Sequence, residues 1–276
     1  MQMPSAGDVK KLRDLTGAGM LDCKKALDEA SGDFDRAVEL LRIQGAKGVG
    51  KREGRVASNG LVTYVHEGQS AVLLELACET DFVAKTADFQ ALADRVAKLA
   101  LSQNITDVDA LYAADLGGTP VRQVLDDANA TMGEKIEVRR FALYQGANIE
   151  HYLHKSDPAL PPTLGVMVQT NTHAPHIAKD VAQQVAAMSP LYVSRSEVPA
   201  DAIERERRVA EETAREEGKP AAAMQKIIDG RVASYLKEVV LDEQPWVKDP
   251  KQTIGSLLET NAVSVERFAR FRVGQP

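Results

Sequence analysis

The chain has 276 residues, 44% of them apolar and 27% charged, which is enough for one large core or two to three smaller ones. A net charge of -6 and an aromatic share of 5% argue against nucleic acid as the main ligand, because binding it takes a concentrated basic surface or stacked aromatics. Apolar runs such as Ala71–Leu74 fall far short of the roughly 20 residues that span a bilayer, and Cys23 and Cys78 are the only cysteines. The composition therefore predicts a soluble, cytoplasmic protein whose ligand is another protein.

Residues 1–45 predict a module of three short helices, Ser5 to Thr16, Leu21 to Ala30 and Asp33 to Gln44, broken at Gly17-Ala18-Gly19 and at Ser31-Gly32. Ser5-Ala6-Gly7-Asp8 reads as a capping box, and Val9, Leu12, Leu15 and then Phe34, Ala37, Val38, Leu41 recur at helical spacing. Met20 and Leu21 follow the first glycine turn directly. They are either a hydrophobic staple for the second helix or an exposed apolar knob for a partner.

Residues 46–58 turn to Gly, Lys and Arg and predict a flexible basic linker. Within this stretch Gly45 to Lys51 matches GxxxxGK, but Arg52 stands where a magnesium-binding Ser or Thr belongs and a helix precedes the motif instead of a strand. No nucleotide site is expected there.

A hairpin follows, Gly60 to His66 and Ser70 to Cys78, and then a helix from about Asp88 to Leu101. Thr119-Pro120 opens the next helix, with Thr as cap and Pro in the first turn, and Gly133 closes it. Strands are predicted at Glu137 to Tyr144, Ile149 to Leu153 and Leu164 to Gln169, and a helix at Ala174 to Met188.

Leu92, Val96 and Leu99 match Val181, Val185 and Met188 in spacing, which indicates a duplicated strand-then-helix unit. The first copy carries extra residues before its helix, and these include Thr80, Asp81, Phe82 and Val83. On one reading Asp81 caps the helix and Phe82 folds into the core. On the other, acid and ring are presented to a partner from a loop on a firm scaffold.

Residues 191–237 are rich in Glu, Arg, Ala and Lys, broken at Gly218-Lys219-Pro220, and predict a projecting helical hairpin with i,i+4 pairs Glu204/Arg208 and Glu211/Arg215. Its apolar seam runs through Ile203, Val209, Ala210, Ala214, Met224, Ile227 and Ile228. The seam is either internal to the arm or a docking face. The last part returns to strands at Gln244 to Val247 and Arg267 to Val273 around a helix at Thr253 to Asn261, rejoining the second sheet. The core then divides into residues 59–143 and residues 144–190 with 238–276.

Enzyme signatures are sparse. His151/His154 and His173/His176 form HxxH pairs without an obvious third ligand, and strand residues three apart point to opposite faces. No GxSxG or HExxH occurs. Neither a catalytic residue nor a metal site nor a cofactor is expected.

Two segments carry a resemblance. Leu12 to Leu27, containing Arg13, Met20, Leu21 and Lys24, and Glu79 to Lys85, containing Thr80, Asp81, Phe82 and Val83, resemble the signature segments of bacterial elongation factor Ts, and the likeness covers almost the whole chain. It implies an α+β fold: a three-helix module resembling ubiquitin-associated domains, a two-part core of antiparallel sheets with packed helices, and an inserted coiled-coil hairpin.

The resemblance also implies an activity, guanine-nucleotide exchange on elongation factor Tu in its GDP-bound and nucleotide-free forms, without covalent chemistry, nucleic acid or membrane. Phe82 would enter an apolar pocket of the GTPase domain and Asp81 would disturb the water and Mg²⁺ around GDP. Arg13, Met20 and Leu21 would touch a helix of that domain, with Lys24 beside them. His154 and Pro245-Trp246-Val247 would meet a more distal domain. The sequence departs from the family pattern at Leu21, where a second Met is common, at Trp246, often Phe, and after Val273, where some members continue into a helix. Whether the complex is one-to-one or a dimer of heterodimers through the arm is left open. The rival classes are a helix-binding adaptor and a metal-dependent enzyme using the histidine pairs.

Overall fold

The computed structural model describes residues 5–275 except Gly17 and Glu53, with backbone alone for Arg42 and residues 45–52. Three helices open the chain, α1 (Ala6–Thr16), α2 (Met20–Glu29) and α3 (Phe34–Arg52). The capping box forms: Asp8 N–H donates to Ser5 Oγ at 3.1 Å, and Ser5 N–H donates to the Asp8 carboxylate at 3.1 Å. Val9 and Leu12 from α1, Cys23, Ala26 and Leu27 from α2 and Ala37 from α3 make one small core, joined by Phe34, Val38 and Leu41. Leu15 shares the helical spacing of Val9 and Leu12 but lies exposed at the end of α1.

The helix α3 runs on to Arg52, through residues whose Gly content predicts a linker. Gly45, Gly48 and Gly50 each cost a helix about 1 kcal/mol against Ala, and Ala46, Lys47, Lys51 and Arg52 are helix formers that offset part of that. The GxxxxGK stretch is accordingly helical backbone.

By its contacts the chain divides into two units. The chain up to Leu143, Leu153–Leu164 and the chain from Phe271 form one; Tyr144–Tyr152 and Gly165–Arg270 form the other. The sheet of the first has the order β1-β2-β3, from β1 (Asn59–Glu67), β2 (Ser70–Cys78) and β3 (Glu137–Gln145). β1 and β2 pair antiparallel from Asn59 opposite Cys78 to Glu67 opposite Ser70.

β2 is buried on both faces. Val72, Leu74, Leu76 and Cys78 point into a core shared with Phe89, Leu92, Ala93, Val96 and Ala97 of α5 (Ala87–Ser102) and with Leu125 of α7 (Val121–Met132). On the other face sits Glu75, fully buried, whose carboxylate accepts a 2.7 Å hydrogen bond from Arg140. The Arg140 guanidinium stacks on Phe271 at 4.8 Å and also donates to the carbonyls of Arg272 and Gln275. Burial raises the Glu75 carboxyl above its ordinary value against the pull of Arg140.

Thr119-Pro120 places the start of α7 one residue later than the pattern predicts. Val121 N–H is engaged upstream by the Ala114 carbonyl at 2.9 Å, so Pro120 stays extended as the cap. Gly133 ends the helix in the left-handed region at φ 77°. Two short helices went unread in the sequence, α4 (Asp81–Ala84) and α6 (Val108–Ala113).

The second sheet has the order β4-β5-β8, from β4 (Ile149–His154), β5 (Leu164–Thr170) and β8 (Val265–Arg272). It repeats the plan of the first: two consecutive strands, a helix, then a third strand beside the second. The counterpart of α5 is α8 (Pro175–Met188), which buries Val181 and Val185, while Met188 at the third repeat position is exposed where Leu99 is not. The connection before α5 is residues 79–86, and the one before α8 is residues 171–174.

The arm is a pair of helices, α9 (Ala200–Glu216) and α10 (Ala221–Val239), turned by Gly218 at φ 66° and Pro220. Its seam is closed within itself: Ala210, Ile228, Val232 and Leu236 are buried together, with Ile203 and Met224 against them. Val209 falls outside this seam and is exposed. Arg215 pairs with Glu211 at 2.6 Å as expected, but Glu204 pairs with Arg207, one residue before Arg208. After the arm come β6 (Pro245–Trp246), β7 (Asp249–Thr253) and α11 (Ile254–Thr260), with β8 returning to the sheet.

The candidate functional site, an exposed acid and ring at a clamped corner

At Cys78 the buried strand β2 ends, and within two residues the chain starts a new helix. Thr80 is extended at φ -127° and ψ 157°, and its Oγ1 accepts from Val83 N–H at 3.5 Å, so Thr80 caps α4 and Asp81 is the first helical residue. Val83 packs on the core and Ala84 is buried. Phe82 points the other way and is 77% exposed. Neither half of the cap-and-core reading is what the fold contains, since Thr80 supplies the cap and the ring stays in water.

Lys85 sits one turn beyond Asp81 and donates to its carboxylate at 2.8 Å, while the ammonium lies 5.6 Å from the centre of the Phe82 ring. The hydrogen bond from Lys85 holds the Asp81 carboxyl below the usual range, with the lysine charge adding to it. Acid, cation and ring thus form one small exposed group.

The backbone beneath this group is fully engaged. The carboxylate of Glu134, directly after the Gly133 cap of α7, accepts from Glu79 N–H at 3.1 Å, Thr80 N–H at 3.0 Å and Thr80 Oγ1 at 2.5 Å. The carboxylate of Glu79 in turn accepts from Lys135 N–H at 2.7 Å and meets Arg55 at 3.3 Å. The Glu79 carbonyl takes a 2.8 Å bond from Asn59, and the Thr80 carbonyl takes one from the Cys78 thiol at 3.1 Å. Burial, with the Glu134 charge second, pushes that thiol up to about 12. Sequence reading missed Glu134 and gave Glu79 only as the first residue of a signature segment, without its clamping role; the one local signal for Glu134 was an acid following the glycine that closes α7.

The other residues predicted for the site lie in three further places. Met20, at 53% exposure, and Leu21, at 73%, open α2 on its solvent side, with Lys24 one turn on. That decides between staple and knob in favour of the exposed knob. Arg13 is exposed on α1. His154 is exposed at the end of β4 in the first unit. In the second unit Trp246 is half-buried and Val247 exposed, and the Pro245–Val247 strip is held by Gln184, a fully buried side chain. Gln184 accepts from Val247 N–H at 2.9 Å and donates to the Pro245 carbonyl at 3.1 Å. Among the described residues no three of His, Cys, Asp and Glu converge as metal ligands, and no helix is long and apolar enough to cross a membrane.

Fold and corner together define a class: an α+β protein whose candidate site protrudes from the end of a buried strand. The family profile described as "Elongation factor TS" matches residues 79–275, a span that begins at this corner. Proteins named elongation factor Ts are similar along nearly the full length: that of Thermobifida fusca is 54% identical and that of Kineococcus radiotolerans 56%, each alignment covering 98% of both chains. That of Mycolicibacterium gilvum is 52% identical over the same share. The chain belongs to the elongation factor Ts family.

Proposed function

We propose that this chain is a cytoplasmic guanine-nucleotide exchange factor, which binds elongation factor Tu carrying GDP and speeds release of the nucleotide. The observation that carries the reading is Phe82, a large apolar side chain left in water at the tip of a corner whose every other apolar residue is packed inward. An exposed phenylalanine gains about 1.5–3 kcal/mol when a pocket takes it in, and a partner that offers the pocket collects that gain. Asp81 enters beside it as a charge that competes for the Mg²⁺ shell, and Mg²⁺ supplies much of the local charge that holds a diphosphate.

Linkage completes the mechanism. If factor and GDP favour different states of one site, each weakens the other by the same factor, commonly 1–3 kcal/mol. No covalent step and no catalytic residue are needed. Met20, Leu21, Lys24 and Arg13 provide a further contact from the helical module at residues 1–45, and His154 of the first unit and the Trp246-Val247 strip of the second each provide another.

The test is stopped-flow release of a fluorescent GDP from purified elongation factor Tu. The wild-type chain accelerates release, and Asp81→Ala combined with Phe82→Ala abolishes most of that acceleration. Unchanged release with the double variant refutes the assignment of the prong; no acceleration by the wild-type chain refutes the function.

A further inference from the structure

We infer that Glu134 is a positioning residue for exchange, acting through the backbone of residues 79–80 to set the direction in which Asp81 and Phe82 leave the scaffold. The inference rests on the function proposed above and adds to it a residue 52 positions away from the ring in sequence.

The corner has a specific mechanical problem. A helix of four residues, Asp81–Ala84, is too short to hold its own direction, because a single turn fixes several dihedrals for one or two hydrogen bonds. Its orientation comes from the packing of Val83 and Ala84 on the core and from the residues that precede it. There the Glu134 carboxylate takes both successive N–H groups and the Thr80 hydroxyl, and the neighbouring Lys135 N–H returns a bond to Glu79.

The clamp is anchored at its far side as well. Ile136 N–H is bonded to Asn129 at 2.5 Å, and Gly133 N–H closes α7 on the Asn129 carbonyl, so the loop that carries Glu134 is pinned to α7. Charge-assisted bonds to an ionised carboxylate are about twice as strong as neutral ones. Three of them meeting on one corner define its geometry better than they are needed to satisfy it, since an exposed loop could give the same N–H groups to water.

A displacement of order 1 Å in a positioned group costs up to about 100-fold in rate. In saturating factor, Glu134→Ala is therefore expected to lower the maximal rate of GDP release roughly 10- to 100-fold, with a much smaller change in the concentration for half effect. Glu134→Gln keeps one carbonyl acceptor and should recover part of the loss.

The discriminating arm is the same change in an Asp81→Ala/Phe82→Ala background. There Glu134→Ala should add little to what acceleration is left, because both groups it aims are gone; an equal fold-loss in both backgrounds overturns the inference. Hydrogen exchange supplies a readout independent of activity: the amides of Glu79 and Thr80 lose protection in Glu134→Ala while those of α5 keep it. Loss of protection throughout α5 means that the Ala variant is misfolded, and Glu134→Gln then carries both arms. Should the Asp81→Ala/Phe82→Ala variant leave release unchanged, the proposed function of the prong fails; should it slow release while both Glu134 variants do not, the positioning role alone fails.

Discussion

Two phenylalanines seven residues apart show how position sets a side chain's role. Phe89 is fully buried in the core of the first unit, whereas Phe82 stands in water beside Lys85. Truncating Phe89 removes a packed ring and leaves a cavity, so Phe89→Ala should cost about 3–5 kcal/mol of stability. Phe82→Ala should change stability by less than about 0.5 kcal/mol, as for surface sites in general. Urea unfolding of the two variants checks both figures, and a Phe82→Ala loss as large as that of Phe89→Ala would show the ring to be structural. The polar residues of the corner divide in the same way: Thr80 and Glu134 face inward on backbone groups, and Asp81 faces out.

At the scale of elements, the corner depends on how the β1–β2 pair ends. Gly60 lies opposite Ala77 at φ 141°, and a Cβ built there would stand 2.1 Å from the Leu76 carbonyl oxygen. No side chain can rotate out of the way of a backbone atom. Gly60→Ala must therefore pull the two strands apart or shift their register, at a cost we expect to exceed about 2 kcal/mol. Denaturant midpoints measure the cost, and faster exchange of the Cys78 and Glu79 amides would locate it. A variant as stable as the wild type would mean that the strands part there without penalty. The arm obeys a milder rule: small residues, Ala210 and Ala214, let α9 and α10 approach closely, and ion pairs such as Arg231–Glu217 at 2.9 Å lie outside the seam.

For the molecule as a whole, stability should depend on pH through Asp242. This carboxyl lies in the second unit beside an open cavity of about 600 Å³ that it shares with Glu197 and Glu259. Its Oδ1 is buried and has no hydrogen-bond partner among the described residues. Burial raises its folded-state pKa, and the charges of Glu197, Glu243 and Glu259 add to the shift. A carboxyl raised on folding binds its proton more tightly in the folded state. Its ionisation therefore opposes folding in full above the folded pKa, and the penalty vanishes as pH falls below the unfolded value near 3.9.

Asp242→Asn should accordingly be more stable than the wild type at pH 7, with the advantage shrinking as pH falls through the folded pKa of Asp242. Thermal melts of both proteins from pH 7 to pH 4 test the sign, and a constant difference across that range would remove Asp242 as the cause.

Most of the architecture was legible in local pattern, because helical spacing, alternating strands and Gly or Pro breaks each act within a few residues of chain. Periodicity together with composition and Gly or Pro breaks pointed to the three opening helices, the third stopping short of its observed end, the β1–β2 hairpin, the helical arm and a doubled strand-then-helix plan, and two short segments carried the family resemblance. What failed was decided by partners outside the segment concerned, some near and some distant in sequence. Pro120 became a cap because Ala114 holds Val121, and Glu75 is buried because Arg140 reaches it. Whether Phe82 and Met20 lay in the core or in water depended on which faces the rest of the fold covered. The support under the corner was invisible for the same reason: Glu134 meets Thr80 across 54 residues, and a hydrogen bond between residues so separated leaves no periodic trace in the sequence. Identity and element order are thus properties of the chain, whereas exposure and clamping are properties that only the closed tertiary structure confers.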